Sequence, residues 1–154
     1  MARSKTKHKK RPVSLTLRVT LGKLFGAAIG LVVFLSLPAL QSDIDMALRF
    51  GMWGWYIIFG AVIGFAGLYT KHPLFGWPLP AVLRGAVIGL GMNAILGGLV
   101  HQDMVIAFAQ YSDFQISNSK PIIQLAIEGL IWGALIDVAI TFYAGQGKDL
   151  VKKL

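Results

Sequence analysis

Two carboxylates and one arginine lie inside long apolar stretches of this chain, where ionised side chains are costly. Glu128 and Asp137 both fall in the last apolar stretch, and Arg84 falls in the third. Nine residues separate the two carboxylates, so on a helix they point about 180° apart and lie about 13 Å apart along the axis. They therefore do not form a catalytic pair, and each carboxylate needs its own partner.

The depths of the polar residues indicate which side chains meet. The third and fourth apolar stretches would run antiparallel as helices. At a rise of about 1.5 Å per residue, Arg84 and Asp137 then lie at the same depth in the membrane within a few ångström. Asn93 and Glu128 also match in depth, but Arg84 and Asn93 lie on opposite faces of one helix. A straight helix pair can satisfy only one of these contacts directly. We predict that Arg84 contacts Asp137, and that the other polar pair involves a different helix or another subunit.

Two roles are compatible with the positions of Arg84, Asp137 and Glu128, one structural and one in transport. In the structural role, Arg84 neutralises Asp137 through a forked pair, while Glu128 is protonated and donates to Asn93 or to neighbouring backbone. In the transport role, Glu128 and Asp137 bind a proton or a cation. We favour the structural role for Asp137, and both roles stay open for Glu128. Thr141 lies one turn beyond Asp137 on the same helix face and fits either arrangement.

A Gly-x-x-x-Gly motif occurs in each of the four long apolar stretches. Glycines four residues apart open a groove on one helix face, and in lipid this groove lets a second backbone approach closely. The motif residues are Gly26, Gly30, Gly60, Gly64, Gly85, Gly89, Gly129 and Gly133. The apolar stretches cover about 21–40, 52–70, 79–100 and 122–144, each near the ~20 residues that span a bilayer. The sequence predicts an all-α, polytopic integral membrane protein with a bundle of four transmembrane helices.

Two of these stretches resemble each other. Residues 24–31 (LFGAAIGL) and 83–90 (LRGAVIGL) are identical at six of eight positions. The bundle would then consist of two duplicated helical hairpins in parallel orientation. The alternative is chance recurrence of Gly, Ala, Ile and Leu, which are common in membrane helices.

Composition limits the chain to one membrane domain. Of its 154 residues, 55% are hydrophobic, and the mean hydropathy is +0.64. We divide the chain into a basic tail (1–18), a four-helix domain (19–145) and a short basic tail (146–154), which leaves no room for a soluble catalytic domain. The chain has no cysteine, so disulfides, thiolate metal sites and thiol nucleophiles are excluded.

The basic residues predict the orientation of the chain. If the N-terminus is cytoplasmic, only Arg49 and Lys120 of the 15 Lys and Arg residues fall outside. This asymmetry predicts a multi-pass protein of the cell inner (plasma) membrane with both termini in the cytoplasm. We expect the N-terminal tail to bind anionic lipids of the inner leaflet, at about 1 kcal/mol per basic residue. The residues assigned to lipid binding are Lys5, Lys7, Lys9, Lys10 and Arg11.

The remaining residue types give little support for a metal, a cofactor or nucleic acid. His8, His72 and His101 lie far apart along the chain, and the His101-x-Asp103 pair lacks further metal ligands. No serine lies beside a base and an orienting residue. The basic tail has no interleaved aromatic residues, which disfavours nucleic-acid binding. We expect no bound metal and no cofactor.

No complete catalytic constellation emerges from these residues. We therefore expect a small non-enzymatic membrane subunit or scaffold that packs through its glycine faces, with further copies of the chain or another membrane protein as its partner. The alternative is an ion- or proton-coupled transporter or channel that uses Glu128 and Asp137. A holin-like protein that permeabilises the membrane is a minor alternative. A lipid-modifying enzyme is disfavoured because neither membrane face carries a phosphate-binding or metal-binding cluster.

Overall fold

Four helices form the described part of the chain. The computed structural model describes residues 14–40, 43–72, 75–102, 120–147 and 150. The helices are α1 (Leu15–Leu40), α2 (Met46–Ala66), α3 (Ala81–Leu99) and α4 (Lys120–Ala144), and this part of the chain contains no β-strand. All four helices are long and apolar enough to cross a membrane.

The helix boundaries differ from the predicted ones mainly at the start of α1 and of α2. Helix α1 begins at Leu15, so Arg18 belongs to a helix and not to the predicted basic tail (1–18). Helix α2 begins at Met46, where the side chain of Asp45 accepts a hydrogen bond from Ala47 N at 3.0 Å. Hydropathy alone places both boundaries too late, because it discounts helical turns that contain Arg, Thr or a capping Asp.

Glycine contacts join α1 to α2 in a first hairpin. A Cβ atom on Gly26 would lie 2.8 Å from the carbonyl carbon of Tyr56, and one on Gly60 would lie 2.7 Å from that of Gly22. Towards the two ends of the hairpin, a Cβ on Gly64 would lie 2.9 Å from the backbone oxygen of Arg18, and one on Gly30 would lie 2.9 Å from Trp53 Cδ1. The two backbones therefore touch along a face where no side chain fits.

The same kind of contact joins α3 to α4 in a second hairpin. A Cβ on Gly85 would lie 2.8 Å from the carbonyl carbon of Gly133, and one on Gly89 would lie 2.8 Å from that of Gly129. In the opposite direction, a Cβ on Gly133 would lie 3.0 Å from the Cα of Gly89. Each of the four glycines thus faces the backbone of the other helix.

The two hairpins meet through larger side chains. Residues from all four helices form one buried cluster, in which Tyr56, Phe59 and Ile63 of α2 pack with Ile136 and Ile140 of α4. These five residues are at most 2% exposed. The contact between hairpins therefore includes a layer of aliphatic and aromatic side chains, whereas the glycine contact within each hairpin brings backbone against backbone.

The chain after α4 turns back towards the end of α2. Gly145 and Gly147 have φ values of 73° and 86°, a backbone conformation that favours glycine. The turn lets Gly147 N donate a hydrogen bond to Gly67 O at 2.8 Å. The C-terminal ends of α2 and α4 are thereby fixed beside each other.

Candidate functional site

Asp137 of α4 is the centre of a buried charged cluster. Arg84 of α3 donates from Nε to Asp137 Oδ2 at 2.7 Å and from Nη2 to Asp137 Oδ1 at 2.9 Å. This forked pair is the contact that the matching depths predicted. Both side chains are at most 1% exposed. The glycine contacts between α3 and α4 bring the two helices close enough for this direct bond.

A second arginine, Arg18 of α1, approaches the same carboxylate. Its Nη2 forms an ion pair with Asp137 Oδ1, and its side chain is fully buried. Its Nη1 donates to Thr141 Oγ1 at 3.0 Å, and Thr141 Oγ1 lies 3.4 Å from Asp137 Oδ1. Thr141 therefore belongs to the cluster, as its position on the helix indicated. The cluster holds two positive charges and one negative charge, which leaves an excess of one positive charge (2 − 1).

Backbone carbonyls at helix ends accept the remaining hydrogen bonds of the two arginines. Arg18 Nε donates to Gly64 O at 2.9 Å, and Arg18 Nη1 also donates to Gly145 O. Arg84 Nη1 donates to Tyr69 O at 2.9 Å. Gly64 lies in the last turn of α2, and Gly145 directly follows α4. Helix C-termini carry a partial negative charge, so they stabilise the excess positive charge of the cluster.

All three nitrogen atoms of each guanidinium thus donate to protein acceptors. Asp137 accepts from two arginines that approach from different hairpins. Removal of one partner from a buried ion pair is strongly destabilising, because it leaves an uncompensated charge. The geometry suits a structural connection that includes groups from all four helices.

Glu128 of α4 lies in a separate polar group. Its Oε1 accepts a hydrogen bond from the hydroxyl of Tyr56 at 2.8 Å, and Tyr56 is fully buried in α2. The sequence had offered Asn93 or neighbouring backbone as partners of Glu128. Since Tyr56 lies on the other hairpin, the bond ties the hairpins together at a second level. The partner of Glu128 thus lies on α2 and not on α3. This agrees with the prediction that one helix pair cannot satisfy both polar contacts, because Arg84 and Asn93 lie on opposite faces of α3.

Asn93 of α3 contacts α2 through another aromatic residue. Trp55 Nε1 donates to Asn93 Oδ1 at 3.3 Å, and the Asn93 side chain is fully buried. Its Nδ2 has no hydrogen-bond partner among the described residues. Trp55, Tyr56, Asn93 and Glu128 therefore form a second polar level in the bundle, away from the Asp137 cluster.

A cleft opens beside Glu128 between the two hairpins. Its volume is about 340 Å³. The lining residues are Ala28, Ile29, Val32 and Val33 of α1 together with Glu128 and Trp132 of α4. Glu128 is only partly buried, whereas Asp137 is completely buried. Of the two carboxylates that the sequence singled out, only Glu128 is accessible.

Other sequence candidates lie elsewhere or outside the described residues. The tail residues Lys5, Lys7, Lys9, Lys10 and Arg11 fall outside the described part of the chain. His72 lies in the connection between α2 and α3, and His101 follows α3. Within the described residues, no three His, Asp or Glu side chains come together in a metal-binding arrangement.

Sequence reasoning missed Arg18, Trp55 and Tyr56. Arg18 was counted among the basic tail residues, although it lies three residues inside α1. Its position four residues before Gly22 places it on the glycine face of that helix, which was the available signal. The sequence alone does not single out Trp55 and Tyr56, because aromatic side chains near the ends of apolar stretches are common at the level of the lipid headgroups. The earlier start of α2 moves both residues into the helix interior.

Comparison of the chain with protein-family models, with curated proteins and with solved structures finds no match.

Proposed function

We propose that this chain is a non-enzymatic subunit or scaffold of the inner membrane, with four membrane-spanning helices and both termini in the cytoplasm. Support for insertion comes from the length and composition of the four helices, all of which meet the requirements of a membrane span. Support for the orientation comes from the excess of Lys and Arg on one side of the proposed bundle. Glycine-lined contacts within both hairpins are compatible with the duplication that the sequence indicates.

One observation carries the subunit proposal: the most deeply buried charges are fully engaged with one another. The exposed fraction is at most 1% for Arg18, Arg84 and Asp137. Each guanidinium group donates hydrogen bonds from all three of its nitrogen atoms to protein acceptors. Such a cluster holds the bundle in one arrangement. A stable bundle with lipid-facing apolar sides is suited to packing against copies of itself or against another membrane protein.

Chemical crosslinking in native membranes, followed by purification in a mild detergent, tests the proposal. We expect one defined species larger than the 16.7 kDa monomer, containing either further copies of the chain or one membrane partner at fixed stoichiometry. The purified protein in liposomes should carry no proton or cation flux. A monomer without a crosslinked partner would contradict the subunit role.

A proton- or cation-coupled transporter is the second candidate, and the accessibility of Glu128 favours it. Glu128 is a partly buried carboxylate in an apolar cleft, and its hydrogen bond to Tyr56 joins the two hairpins. Relay carboxylates of transporters occupy comparable positions inside the membrane. Flux by the wild-type protein in liposomes under a proton or cation gradient would support transport, provided that Glu128→Gln abolishes it. Absence of flux in the wild-type protein over a range of gradients would exclude this candidate.

A further inference from the structure

The residues that line the cleft beside Glu128 have the chemistry of a ligand-binding site. Four residues of α1 form one wall, and all of them are apolar. Glu128 and Trp132, which are one helical turn apart on α4, form the other wall. The cleft therefore presents one carboxylate and one large aromatic ring within an otherwise apolar surface.

Only one of the two carboxylate oxygens of Glu128 accepts a hydrogen bond from a described residue. Tyr56 donates to Oε1 at 2.8 Å, and no other described residue donates a hydrogen bond to the Glu128 carboxylate. No arginine, lysine or histidine of the described residues forms an ion pair with it, in contrast to the two arginines on Asp137. A carboxylate in apolar surroundings is stabilised by a cation that reaches its free oxygen.

The lining residues also indicate the kind of cation. Small hard cations such as Mg²⁺ and Ca²⁺ need about six or more oxygen ligands, and the cleft lining offers a single carboxylate. An organic cation needs one counter-charge, apolar walls for its carbon groups and an aromatic face for its positive charge. Glu128, the α1 wall and Trp132 supply these three features.

We propose that the cleft between α1 and α4 binds a lipophilic organic cation, with Glu128 as its counter-ion and Trp132 as its aromatic contact. The site does not depend on the subunit role, because binding requires neither a protein partner nor passage of the cation across the membrane. The cation enters from the side, since Ala28, Val32 and Trp132 are exposed on the outer surface of the bundle. Tyr56 keeps the carboxylate directed towards the cleft through its hydrogen bond to Oε1.

Equilibrium binding of tetraphenylphosphonium to the purified full chain in a neutral detergent tests the site. We expect saturable binding by the wild type, and binding that is at least about tenfold weaker in Glu128→Gln, because the counter-charge is lost while the side-chain shape is kept. The uncharged compound triphenylphosphine oxide should not compete. Binding of equal strength in wild type and Glu128→Gln would overturn the proposal, as would absence of saturable binding in the wild type.

A pair of bulky variants separates loss of the site from loss of the fold. Val32 lines the cleft and is 66% exposed, so Val32→Trp should fill the cleft and weaken binding at least about tenfold. Val138 on α4 is 43% exposed and does not line the cleft, so Val138→Trp should bind as the wild type does. Equal binding by Val32→Trp and Val138→Trp would place the cation elsewhere and overturn the assignment. This comparison remains decisive if Glu128→Gln fails to fold.

Discussion

Arg18 and Arg84 donate to the same carboxylate, that of Asp137, from different hairpins. Arg84 reaches it across the glycine contact inside the second hairpin, whereas Arg18 reaches it from the first hairpin. Because the carboxylate is shared, it connects the hairpins at one level of the bundle, and the Tyr56–Glu128 bond connects them at another. Each hairpin is thus held internally by backbone contact, while polar bonds and the buried aliphatic cluster hold one hairpin against the other.

The glycine contact inside the second hairpin predicts that a large side chain destabilises the protein at Gly89 but not at Gly91. A side chain on Gly89 would meet the backbone of Gly129, whereas one on Gly91 would meet no atom within 4 Å. Gly89→Leu should therefore lower the free energy of unfolding by about 1–3 kcal/mol or more through overpacking. Gly91→Leu should change it little. Thermal unfolding in detergent measures both variants, and equal melting temperatures would show that the Gly89 face does not contact α4.

The bond between Tyr56 and Glu128 predicts a modest loss on removal of one hydroxyl. Tyr56→Phe should lower the free energy of unfolding by about 0.6–2 kcal/mol, the usual range for a hydrogen bond between membrane helices. Tyr143 is 53% exposed on α4, so Tyr143→Phe is the matched control and should be neutral. Glu128→Gln keeps an acceptor for Tyr56 and should also be nearly neutral in stability. A Tyr56→Phe protein as stable as Tyr143→Phe would contradict this bond.

The proposed orientation predicts which introduced cysteines are accessible in intact cells. The chain has no cysteine of its own, so each single-cysteine variant gives an unambiguous signal. A membrane-impermeant thiol reagent should label Ser112→Cys from outside and should leave Ser4→Cys unlabelled until the cells are broken. Labelling of Ser4→Cys in intact cells would reverse the proposed orientation.

Apolar length predicted the four helices of the described residues, and depth matching predicted one of the bonded pairs at the polar sites, Arg84–Asp137. The Arg84–Asp137 pair followed from sequence because both residues lie on adjacent antiparallel helices, where depth is nearly proportional to residue number. The role of Arg18 did not follow, because a cation near the end of an apolar stretch looks like a topology signal until the helix start is known. The partner of Glu128 also required three-dimensional information, because the packing of one hairpin against the other is not encoded in the register of either hairpin.

Reversible unfolding of charge variants tests the shared-carboxylate connection most directly. Asp137→Leu leaves two buried arginines without a counter-ion and should cost about 3–5 kcal/mol. Arg84→Leu leaves the Arg18–Asp137 pair intact and should cost clearly less. The double variant Arg84→Leu with Asp137→Leu leaves one arginine bonded to Gly64 O, Thr141 and Gly145 O, so it should be more stable than Asp137→Leu alone. Equal losses for both single variants, with additive loss in the double variant, would show that Asp137 does not join the two arginines.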